Sequence, residues 1–92
     1  MNESLLTGKN VIVQGITGSH GAFHTRAMVA AGTSVVAGTS PGKAGQDIDG
    51  IPVYNSIIDI QADMAVDTSV IFVPAAHAKA AILEAISANI PL

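Results

Sequence analysis

Three glycines, Gly15, Gly18 and Gly21, recur at a three-residue spacing between a short apolar run and a segment of helical character. Nothing else in the chain constrains its fold as strongly. A strand that turns sharply into a helix needs backbone freedom at the turn, and a helix lying close on a strand needs a residue without a side chain at the contact. The spacing is a variant of the dinucleotide fingerprint, in which one glycine makes the tight turn, one lets backbone approach a ligand and one packs helix on strand. Such a turn favours an anion. The first N–H groups of a helix have no partner inside it, and the aligned peptide dipoles leave about half a positive charge at that end. Thr17 and Ser19 add two hydroxyls to the same turn.

The elements around the turn follow from pattern. Val11, Ile12 and Val13 form an apolar run of the kind buried on both faces in a parallel sheet. Residues 20–31 then read as a helix, with Phe23, Ala27, Ala30 and Ala31 on one face and Gly32 as its stop. Residues 34–37 form a second strand that runs into the loop Gly38-Thr-Ser-Pro-Gly-Lys-Ala-Gly45, and residues 50–54 form a brief extended piece. Ser56 caps a short helix over residues 57–64, with Asp59 in its first turn. Residues 69–73 are the clearest strand, closed by Pro74, and residues 75–88 a helix with Ala78, Ile82, Ala85 and Ile86 at helical spacing. This order predicts an α/β domain, a parallel sheet with helices on both faces, occupying residues 1–92 as one unit. Its next strand is due where the chain stops.

Composition narrows the function. Of the 92 residues, 49% are hydrophobic and only 12% charged, so apolar faces await further strands or a partner, as in a piece of something larger. Four basic residues and a net charge of −3 exclude a nucleic-acid surface, which needs clustered Lys and Arg. The absence of cysteine removes disulfides, thiolate metal sites and thiol nucleophiles, and fits an intracellular, cytoplasmic protein. The N-terminus shows neither a secretory nor a transit pattern, and no run reaches the roughly 18 apolar residues of a membrane span.

Recognition of NAD calls for an acidic residue about 20 positions beyond the glycines, at the end of the second strand. Gly38 and Thr39 stand there instead, and the first carboxylate is Asp47. The following loop presents Lys43 after Pro41-Gly42, a cation suited to a ligand with an extra phosphate on its ribose, as in NADP and coenzyme A. A solvated loop lysine is the plain alternative. His20 and His24 stand at i and i+4, a spacing for two metal ligands, but no third ligand follows, so no metal site is assigned. His77 reads as a polar first-turn residue, Tyr54 and Phe72 as packing residues with Phe72 able to border a base. The aspartates are scattered singly and form no catalytic pair.

The segments Gln14-Gly-Ile-Thr-Gly-Ser-His-Gly-Ala-Phe-His24, Thr39-Ser-Pro-Gly-Lys-Ala-Gly45, Gly50-Ile-Pro-Val-Tyr-Asn55 and Ser69-Val-Ile-Phe-Val-Pro74, taken in order, resemble the N-terminal CoA-binding domain of the α subunit of succinate–CoA ligase. The resemblance implies a Rossmann-like fold, here short of its last strand, and a second, phosphohistidine-bearing domain that this chain lacks. It implies formation of succinyl-CoA from succinate and CoA, a tricarboxylic acid cycle reaction coupled to ATP or GTP. The nucleotide and Mg would sit on a partner β subunit, in an αβ or α2β2 enzyme of the cytoplasm, or of the mitochondrial matrix in a eukaryote. By the same resemblance Thr17, Gly18, Ser19, His20, Lys43, Val73 and Pro74 contact CoA. None of the three histidines is then the phosphohistidine, no catalytic residue lies in this segment, and the segment alone is inactive. His20 departs from the glutamine familiar at that position. An imidazole still donates or accepts one hydrogen bond. Two other classes fit the residues less fully: an NADP-binding oxidoreductase domain and a free-standing CoA-binding regulatory module. A sister ligase acting on malate or citrate would share this domain.

Overall fold

The computed structural model describes residues 9–90. The stretch 1–8, in which the sequence shows no targeting pattern, and residues 91–92 lie outside the described residues. The apolar runs form strands β1 (Val11–Gln14), β2 (Val35–Thr39), β4 (Ile51–Tyr54) and β5 (Thr68–Ile71), with a two-residue strand β3 (Asp47–Ile48) before β4. Helices α1 (Ser19–Ala30), α2 (Ile57–Asp63) and α3 (Ala75–Ser87) separate or follow them. The sheet order is β3-β4-β2-β1-β5. β1 runs parallel to both β2 and β5, and β2 parallel to β4.

All four residues of β1 are buried, as a central strand covered on both faces requires. Alternation along it divides the core. Ile12 joins Ala37, Ile57, Ile60, Ala85 and Ala88 in one cluster beneath α2 and α3, whereas Val13 joins Ile16 and Val53 in another, against which Met28 of α1 packs. Helices therefore cover both faces, and the α/β, Rossmann-like arrangement expected from the sequence is what forms.

Three local features differ from expectation. On α1 the buried residues are Gly21 and Thr25, while Phe23 is 66% exposed. The helix lies so close to the turn that a side chain at Gly21 would collide with the Gly15 carbonyl, so small residues face inward and the large aromatic is turned out. Thr25 tolerates burial because its hydroxyl donates to the Gly21 carbonyl at 2.6 Å. On α3, Ala85 is buried as expected and Ala81 with it, whereas Ile82 and Ile86 are exposed; again alanine takes the close contact. Third, the extended piece at 50–54 has an antiparallel partner, β3. Asp49 and Gly50 both have positive φ, 50° and 91°, the two-residue reversal that an Asp-Gly pair favours. The Gly50 N–H donates to the Asp47 carboxylate at 2.7 Å.

Candidate functional site

β1 and β5 are adjacent and parallel, yet the helices that follow them depart to opposite faces. This is the switch point of a doubly wound sheet, where a crevice opens beyond the carboxyl ends of the strands. A cavity of about 500 Å³ lies there, within the usual range for a small-molecule site. One wall is polar, made by Gly15, Thr17 and Gly18 of the glycine turn with Thr39 and Ser40 at the end of β2; the other is mainly apolar, from Phe72 to Pro74 and along α3.

The glycines divide their work as the fingerprint requires. Gly15 turns the chain at φ 85° where any side chain would strike the Phe72 carbonyl and Val73. Gly21 makes the close helix contact already described. Gly18 is exposed, and a side chain there would meet only ordinary contact, 3.5 Å from the Gly15 carbonyl oxygen. It is also the N-cap of α1 and, having no side chain, supplies no capping bond, and α1 carries no acidic residue in its first turn. α3 is alike. Its N-cap is Pro74, with no side-chain cap and no first-turn carboxylate, and both Pro74 and His77 line the cavity. Two helix N-termini thus meet the crevice with their positive ends uncompensated.

Of the residues expected from sequence, Thr17, Gly18, Val73 and Pro74 line the cavity together. Ser19, His20 and Lys43 are exposed and lie outside its lining, the first two at the start of α1 and Lys43 on the loop after β2. His77 and Phe72 border the cavity, and the imidazole of His24 stacks on the Phe72 ring at 4.8 Å between centroids, the planes 4° apart. Among the described residues no group of three His, Cys, Asp or Glu is placed to hold a metal ion.

Several side-chain contacts around the site carried no signal in the sequence. Gln14 is buried at the cavity floor; its amide donates to the Ala81 carbonyl at 2.9 Å and accepts from the Ser69 hydroxyl at 2.7 Å, tying β1, β5 and α3 together. The hydroxyls of Thr17 and Ser40 share a hydrogen bond at 2.6 Å, joining the glycine turn to the loop after β2. Asn55 reaches that same loop from the end of β4, accepting from the Gly42 and Ala44 N–H groups at 2.9 and 3.3 Å. Outside the cavity lining, Tyr54 donates its hydroxyl to Asp63 at 2.8 Å. That bond first, then burial and the charge of Asp63, hold the phenol above its usual pKa.

A mostly parallel, doubly wound sheet with a glycine turn and two open helix ends at its switch point defines a Rossmann-like domain. Residues 7–92 match the family described as CoA binding domain, and the chain belongs to that family. It is similar to succinate–CoA ligase [ADP-forming] α subunits. The protein from Methanothermobacter thermautotrophicus is 53% identical over 82% of this chain and 26% of its own length. The α subunit 1 of Archaeoglobus fulgidus is 47% identical over the whole of this chain and 32% of its own length. That of Aquifex aeolicus is 48% identical over 89% of this chain and 27% of its own. The chain spans about a third or less of these curated relatives. No helix among the described residues is long and apolar enough to cross a membrane.

Proposed function

We propose that this chain is the CoA-binding domain of a succinate–CoA ligase α subunit, and that CoA occupies the crevice between β1 and β5. The observation that carries the proposal is the convergence of two uncapped helix N-termini, α1 and α3, on one cavity in a chain of the CoA-binding family. Phosphate of the ligand lies against the turn residues Thr17, Gly18, Ser19 and His20, where the open N–H groups are those that follow Gly18, whose own N–H donates to the Gly15 carbonyl. Its remaining length lies along Val73 and Pro74, and Lys43 reaches the phosphate on the ribose. The domain binds and orients; it fixes the thiol for chemistry performed elsewhere.

The acid substrate, the ATP or GTP with its Mg and the phosphorylated histidine belong to other parts of the enzyme, a second domain and a partner β subunit. The ADP-forming names of the relatives favour ATP. Two observations support a larger assembly: the relatives are about three times as long, and Ile82, Leu83 and Ile86 stand exposed on α3 at 39–57%, an apolar surface that further structure would cover. We place the enzyme in the cytoplasm.

Calorimetric titration of the chain with CoA tests the proposal. Saturable 1:1 binding, weaker for dephospho-CoA, is expected, together with no succinyl-CoA formation by the chain alone. Binding of NADPH with no competition from CoA would overturn it.

A further inference from the structure

Lys43 is exposed, and a lysine on a free loop is a weak phosphate ligand because ordering it costs conformational entropy on binding. The loop that carries it is nevertheless held on both sides. Ser40, Pro41, Gly42 and Lys43 form a tight turn with Pro second and Gly third; Gly42 has φ 80° and the Lys43 N–H donates to the Ser40 carbonyl at 3.0 Å, as a type II turn requires. On the near side the Ser40 hydroxyl bonds that of Thr17. On the far side a single atom, Oδ1 of Asn55, accepts from the N–H groups of both neighbours of Lys43, Gly42 and Ala44. The next residue is fixed as well, since the Gly45 N–H donates to the Val53 carbonyl at 3.1 Å.

Resting on the CoA assignment above, we propose that Asn55 is a positioning residue that presets the Lys43 loop and thereby sets the preference for a ligand phosphorylated on its ribose over the same ligand without that phosphate. Asn55 does not line the cavity. It acts through the backbone on either side of Lys43, so its removal frees the lysine without altering the rest of the crevice. The effect falls on one phosphate and on no other part of the ligand.

The experiment compares Kd for CoA and for dephospho-CoA in the unsubstituted chain, N55A and K43A, with amide exchange at Gly42 and Ala44 as a second readout. In N55A, CoA affinity is expected to fall about fivefold, the size of one or two exposed hydrogen bonds. Dephospho-CoA affinity is expected to change less than about twofold, and exchange at both amides to speed up. K43A sets the scale by losing the same preference. Equal losses for both ligands in N55A would overturn the proposal, as would an unchanged ratio beside a collapsed ratio in K43A. An unchanged ratio in K43A would overturn it too, by removing the phosphate contact on which it rests, and absence of CoA binding in the unsubstituted chain would instead refute the CoA assignment itself.

Discussion

α1 and α2 begin differently, and the contrast supports the proposed site. Ser56 caps α2, its side chain accepting from the Asp59 N–H at 3.3 Å. Asp59 adds a carboxylate to the first turn, and Glu84 of α3 accepts from the Ile57 N–H at 2.8 Å. The positive end of α2 is thus answered inside the protein. At α1 the cap is a glycine with nothing to offer, and no carboxylate follows. Capping is cheap for a sequence to arrange, and its omission at both helices that meet the crevice leaves donors for a ligand. The price of the open ends is modest local stability.

The largest effect is expected from closing the open end. Gly18 has φ −67° and ψ 158°, which any residue adopts, and a side chain there meets no close contact. Gly18→Asp is expected to raise stability by a few tenths of a kcal/mol through capping while lowering CoA affinity at least about tenfold, or about 1.4 kcal/mol. Thermal denaturation and calorimetry on one sample check both. A loss of affinity accompanied by unfolding would mean that the turn, not its charge, had been tested.

Opening the closed end gives the converse. Ser56→Ala is expected to cost about 1 kcal/mol of stability in denaturant unfolding and to leave CoA affinity unchanged within about twofold. Weakened binding would erase the distinction between the two helix starts.

The smallest effect concerns Tyr54, which packs beside α2. Its pKa is raised in the folded chain, so the stabilisation from this group is complete below the ordinary tyrosine value near 10 and is lost as pH rises through the folded value. Unfolding midpoints measured from pH 8 upward should show a small alkaline decline that Tyr54→Phe removes. An identical decline in the variant would place its origin elsewhere.

Local pattern made the strands and the α2 cap legible, because apolar runs and a serine before a helix act on their own neighbourhood. The inward faces of α1 and α3 were legible only in part. Close helix-to-sheet packing selects Gly21, Thr25 and Ala81 by size, whereas periodicity of apolar residues, which pointed rightly to Ala85, also pointed to Phe23, Ile82 and Ile86, which the same closeness expels. The Asp49-Gly50 reversal was not read from the sequence, since its outer strand is only two residues long and has no pattern of its own. In the site, the glycine turn was legible for the same reason as the strands. Gln14 and Asn55 were not, since their partners lie far away in sequence or depend on which strand ends meet; Gln14 bonds residues 55 and 67 positions distant.

The central claim is that CoA is held by the open helix ends at the switch point. An amide-resolved NMR titration of the chain with CoA tests it most directly. Shifts concentrated at residues 18–21 and 75–77, with residues 56–60 unmoved, are the predicted result. Saturable binding that shifts the α2 start and spares the glycine turn would contradict it.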